Sequence, residues 1–234
     1  MDGCVSMENK VTALKVQKRN PNRVNVYLDG DFAFGLSRIV AAWLHIGQVL
    51  DDQKIEELKA KDNGEVAYQK ALLFIGHRPR SEAEVVKRLE KHGFEDEVIE
   101  AIMTRLRSQN LVGDLEFARL WVDNRSTFRP RGRRALSVEL KQKGVSELDI
   151  QEALEGMQDE EVLAYRVAMK HAPRLKELEW FQFRQRLGAR LARRGFNYDA
   201  IQPVVERVWA ELQDENSLEY PEDHHNKEAE NESN

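Results

Sequence analysis

A single cysteine, Cys4, excludes an intrachain disulfide, and its place in a polar leader argues against a catalytic thiol. No apolar run approaches the roughly 20 residues of a membrane span, and the N-terminus lacks the basic-then-apolar layout of a secretion signal. A cytoplasmic protein without membrane contact is the expectation. Six histidines, His45, His77, His92, His171, His224 and His225, show neither an HExxH nor a Cys/His ligand spacing. No metal or other cofactor is expected. Phosphate-cradling GxxxxGK[ST] and GxGxxG loops are absent, as is the GxSxG nucleophile turn. The carboxylate clusters Asp51-Asp52 and Glu95-Asp96-Glu97 stand where helices are expected to start, and acids there favour the positive dipole end. Nothing points to an enzyme.

What the chain does have is unevenly placed charge. The net charge of −5 conceals a tail, residues 213–234, with eight acids against Lys227 alone, so residues 1–212 carry +2. Between Arg119 and Lys143 eight cations face only Asp123 and Glu139, and from Phe181 to Gly195 there is no acid at all. Such polarity fits a polyanionic or acidic partner, although a solvated helix face is the plainer reading of any one basic stretch.

The early chain has the period of strands. Val24, Val26 and Leu28 share one face, Phe32, Phe34 and Leu36 continue it, and Asp29-Gly30 marks a tight turn. This predicts a small antiparallel meander from about Val11 to Leu36, then a short helix or connection from Ser37 and a helix over 51–61. From Glu65 to Leu212 the period is helical. Gly93, Gly144 and Gly195 are 51 residues apart, as are Leu89, Leu140 and Leu191, then Val85, Leu136 and Leu187, then Ile99, Ile150 and Ile201. Ser81 and Glu84 form a capping-box pattern before the first of these helices, and Gly93 supplies its stop. Each unit reads as helix, linker, helix, glycine turn, helix. The fold expectation is mostly α: three tandem three-helix repeats in an elongated array behind the β meander, since a single unit cannot cover its own apolar stripe. The boundaries are a leader at 1–10, the β domain with a helix at 11–64, repeats at 65–112, 113–159 and 160–212, and a disordered acidic tail at 213–234. Trp121, Trp180, Phe181 and Phe183 read as packing residues.

The middle helices of the first two units open on cations: Arg78 and Arg80 around Pro79, then Arg129 and Arg131 around Pro130. The third unit substitutes Trp180-Phe181 and places Arg184, Arg186, Arg190, Arg193 and Arg194 further along. The last helices are acidic or mixed, which disfavours a major-groove-reading helix-turn-helix.

RPRSEAEVVKRLEKHGF, LVGDLEFARLWVDNR and RGRRALSVELKQKGV together resemble the signature of the RecX family, regulators of the RecA recombinase, across all three helical units. VTALKVQKRNPNRVNVYLDGDFAFGLS is similar to the β extension of some members. Where the family often carries an acidic pair after Leu-Val, this chain has Gly113-Asp114, which leaves Asp114 as a capping acid. The resemblance implies a monomer without catalytic activity that lodges on the RecA filament on single-stranded DNA and limits its extension. Recombination and the SOS response would be regulated in this way. The expected contact residues are Arg78, Arg80, Lys87, Arg88, Arg129, Arg131, Arg133, Arg134, Lys141 and Lys143, with weak direct contact to single-stranded DNA. A nucleic-acid-binding protein acting without RecA and a helical interaction scaffold are the alternatives.

Overall fold

The computed structural model describes residues 9–219, with side chains to Asp214. Two compact units divide the chain after residue 117. The first contains β1 (Val11–Gln17), β2 (Asn20–Leu28), β3 (Asp31–Ser37), α1 (Arg38–Ala41), α2 (Asp52–Ile75), α3 (Glu82–Glu90), α4 (Asp96–Ser108) and the opening of α5 (Asp114–Phe128). The second contains the rest of α5, α6 (Arg133–Gln142), α7 (Glu147–Glu155), α8 (Glu160–His171), a 3-10 turn at Ala172–Leu175, α9 (Trp180–Arg193) and α10 (Tyr198–Glu219).

The meander forms as its alternation demands. The strands pair antiparallel in the order β1-β2-β3, with Leu14 opposite Val26 and Val24 opposite Leu36. Asp29 and Gly30 both take positive φ, 51° and 100°, the geometry that closes a two-residue hairpin. One face of the sheet buries Val11, Val24, Val26, Leu28 and Leu36 against Leu50 and Leu58.

The sequence suggested separate helices over 51–61 and 65–75. Instead α2 is one continuous 24-residue helix through Gly64, so the boundary between β domain and first repeat falls inside it. Packing on both sides overrides the weak helical preference of glycine. Upstream, Leu58 enters the sheet core, and Asp62 accepts hydrogen bonds from the Ser37 backbone and from Arg23. Downstream, Ala67, Tyr68 and Ala71 enter the core of the first repeat. Glu65 ties the helix to α4 through Arg105 at 3.2 Å. Gly64 has open space where a Cβ would stand. Gly64→Ala is therefore expected to stabilise the first unit by about 0.8 kcal/mol, read as a rise in the denaturation midpoint at unchanged slope.

The repeats close alike. Gly93, Gly144 and Gly195 adopt φ of 78°, 83° and 83°, a left-handed conformation that costs glycine little. In each case the following N–H reaches back to a leucine carbonyl: Phe94 to Leu89, Val145 to Leu140, Phe196 to Leu191. This is the same helix-terminating motif three times. The predicted capping box at Ser81 and Glu84 is also formed. Fully buried Leu89, Leu140 and Leu191 sit at equivalent places.

Two expectations need amendment. Trp180 and Phe183 pack on Trp209 within the third repeat, with ring centroids 5.5 and 4.9 Å away, but Phe181 is exposed. Phe183, Leu187 and Leu191 form the buried stripe of α9, and Phe181 lies off it. Helix α10 also runs past residue 212 to Glu219, because extending an established helix costs far less than starting one. Residues 1–8 of the leader and 220–234 of the acidic tail lie outside the described residues. Lys10 is paired with Val49 beside the sheet.

Candidate interaction surface

In the first unit, the loop between α2 and α3 presents Arg78 and Arg80. Arg78 reaches Glu84 at 3.4 Å and is exposed. Arg80 turns inward: its guanidinium lies 3.9 Å from the centroid of Phe74, with Arg88 over the same ring at 5.5 Å. Burial above all, then repulsion from Arg78 and Arg88 against the attraction of Glu84, holds the Arg80 proton affinity below its ordinary value. Its main contribution is packing. Lys87 and Arg88 are exposed on α3, and Lys87 has no ion pair among the described residues.

In the second unit Glu139 on α6 organises the basic segment. Its carboxylate accepts from the Trp121 indole N–H at 2.8 Å, from Arg125 at 2.9 Å and from Arg131 at 3.0 Å. Trp121 is half-buried, with Arg125 and Lys143 over its ring at 4.4 and 5.3 Å. Arg133 donates from Nη1 to the Leu154 carbonyl at 2.7 Å, and Lys141 pairs with Glu147. Arg129 and Arg134 are exposed without an ion pair among the described residues. The ten expected contact residues therefore divide into cations spent on packing and internal pairs, and cations open to solvent.

Backbone placement of this segment depends on two acids that local sequence does not interpret. Asp114 accepts from the Glu82 N–H at the start of α3 at 2.8 Å, and Glu160 accepts from the Arg133 N–H at the start of α6 at 2.9 Å. Each acid, at the start of one repeat, caps the middle helix of the repeat before it. Asp114 was expected to serve its own helix.

A second cationic group lies where α8 and α9 end. Arg194 donates from Nη1 to the Pro130 carbonyl at 3.1 Å, and its own carbonyl accepts from the Gly132 N–H at 3.0 Å. This brings the third-repeat cations beside Arg131. The Arg194 guanidinium is held below its usual proton affinity by burial, then by Arg190 and Arg131. The His171 imidazole is pushed down by burial, then by Arg190, Arg194, Arg174 and Lys170. Burial and cations are the causes of both shifts. Helix C-termini attract cations on their own account, but at this site the charges repel one another more than neighbouring acids relieve them. Arg190 and Arg194 belong to the acid-free stretch visible in the sequence. Lys170, His171 and Arg174 carry no sequence signal, because only the fold brings them there.

Among the described residues no group of three or more His, Cys, Asp or Glu is placed to hold a metal ion, and no helix is long and apolar enough to cross a membrane. What the surface can do is attract anionic groups through fixed charge.

Comparison with known proteins agrees with this organisation. Residues 9–51 match the regulatory protein RecX N-terminal domain, and residues 67–106, 114–154 and 159–205 match the first, second and third three-helix domains of RecX. Regulatory protein RecX of Leuconostoc mesenteroides is 31% identical over 214 residues, covering 90% of this chain and 80% of its own. That of Bacillus subtilis is 31% identical, covering 85% and 76%. A crystal structure of regulatory protein RecX superposes with a TM-score of 0.69 at 28% identity, covering 84% of this chain and 98% of that one. RecX from Lactobacillus salivarius shares the fold at a TM-score of 0.60 and 21% identity, over 63% of this chain and 97% of its own. With its N-terminal sheet and three helical repeats each matched in order, this chain belongs to the RecX family of regulatory proteins.

Proposed function

We propose that the protein is a non-enzymatic modulator of RecA, acting in the cytoplasm as a monomer that binds the RecA filament on single-stranded DNA and limits its extension. Homologous recombination and the SOS response are then regulated through filament length. The observation that carries this reading is the cationic group that the fold gathers around Arg190, Arg194 and His171, on a chain whose family is regulatory. A filament on single-stranded DNA carries phosphate along its length, and several modest contacts on one chain reinforce one another. Lys87, Arg129 and Arg134 are the expected contact residues best placed to add to it. Arg80 contributes by holding the α2–α3 loop.

The test is RecA-dependent ATP hydrolysis on single-stranded DNA with substoichiometric protein added. The expected result is a loss of hydrolysis equivalent to many RecA protomers per protein added, because blocking growth at one position affects many protomers. Unchanged hydrolysis at stoichiometric protein would overturn the reading. The same cationic group also favours direct binding to single-stranded DNA. That alternative requires affinity for naked DNA, with a steep salt dependence from counterion release, to match affinity for the filament.

A further inference from the structure

The first unit carries a trough that the basic surface does not explain. It runs beside α2 from Lys54 to Leu73, about 28 Å at 1.5 Å per residue, and its other wall is α1 with the turn that follows. Two adjoining concavities of about 330 and 780 Å³ make it up, sharing Ile39 and Glu65 as lining. Its apolar groups are unusually open: Trp43 is 86% exposed, Leu73 70% and Ile39 62%. Large apolar side chains clustered in a concavity mark an interaction site more often than isolated surface ones.

Charge limits what can fill it. Arg38, Lys61 and Lys70 line the trough without an ion pair among the described residues. The acid Glu65 is spent on Arg105 and Gln69. A second copy docking through the same face would bring like charges together, which disfavours a symmetric dimer. A bilayer is flat, whereas the apolar groups here form the walls of a groove. The shape suits a helix or extended strand with apolar anchors and flanking carboxylates.

We propose that this trough is a second docking site, in which the N-terminal unit grips a segment of a filament protomer presenting an apolar side chain between Asp or Glu residues. The proposal rests on the filament reading above. Trp43 supplies the anchor contact, as exposed tryptophans at interface centres commonly do, and Lys70 and Arg38 meet the carboxylates.

The experiment uses the full chain and two variants, Trp43→Ala and Lys70→Glu, both at exposed or half-exposed positions, with circular dichroism confirming unchanged melting. Each is co-sedimented with RecA filaments assembled on poly(dT), at two salt concentrations. Binding of the Trp43→Ala variant is expected to weaken about tenfold or more. The Lys70→Glu variant should bind several-fold more weakly at low salt, the difference narrowing as salt rises. Equal filament binding by natural chain and both variants would overturn the trough while leaving the filament reading intact. No filament binding by the natural chain would remove both. Trp43-dependent binding to phosphatidylserine-containing vesicles with unchanged filament binding would assign the trough to lipid. A dimer in sedimentation velocity abolished by Trp43→Ala would assign it to a second copy. Either of these last results also rejects the proposal.

Discussion

Gly132→Ala is expected to destabilise the second unit by about 3 kcal/mol or more, lowering its melting temperature by on the order of 10 °C. Gly132 stands just before α6, and its N–H donates to the Arg194 carbonyl. A Cβ there would lie 2.1 Å from the Gly195 oxygen and 2.4 Å from the Phe196 nitrogen. These are backbone atoms at the left-handed turn that ends α9, so no rotamer change relieves the overlap. The approach is tight from the other side as well, since a Cβ on Gly195 would meet Ala135 Cβ at 2.4 Å. Relief would require separating α6 from the third repeat, with loss of the Arg194 to Pro130 contact. Thermal melting by circular dichroism measures the effect, and Gly113→Ala is the control. A Cβ at Gly113 meets nothing within 4 Å, so that variant should melt within a degree or two of the natural chain. Equal melting of both variants would mean that the second and third repeats are not held together by this glycine pair.

The same glycines show which parts of the fold can be read locally. The 51-residue spacing of Gly93, Gly144 and Gly195 was visible because a left-handed helix stop is a property of one residue and its neighbours. The meander was legible for a similar reason, its alternation and Asp29-Gly30 turn needing no distant partner. The close contact at Gly132 was not, because nothing nearby in sequence announces that Gly195 will lie against it. Continuity of α2 was hidden in the same way, because only the two cores on either side hold residues 62–64 helical. Asp114 was recognisable as a capping acid but Glu160 was not, and the helices both cap belong to the preceding repeats. For the candidate surface, charge in the sequence identified the basic segments. It could not tell Arg80, stacked on Phe74, from Arg134, open to solvent. Nor could it place His171 among Arg174, Arg190 and Arg194.

Reversing two charges in that last group, Lys170→Glu with Arg190→Glu, is expected to weaken filament binding about 10- to 100-fold at 0.1 M salt and to flatten its salt dependence. Both side chains are exposed, whereas Arg194 is left intact because it also holds the Pro130 loop. His171 gives the site a pH signature with opposite signs for stability and binding. Its proton affinity in the folded chain lies below the unfolded value, through burial first and then the surrounding cations. The unfolded chain therefore takes up the proton more readily. The stability this confers is present above about pH 6.5 and is lost as pH falls from there through the lower folded value. An anion bound against Arg174 and Arg190 opposes the cations that repel the proton, so binding should raise the proton affinity of His171. By linkage, affinity then increases as pH falls below about 6.5, the same range in which stability declines. Filament binding and thermal melting measured across that range, for the natural chain and His171→Gln, test the pair of slopes. The glutamine variant should lose the His171 part of both. Retention of the full pH dependence of binding in that variant would place the anion elsewhere on the molecule.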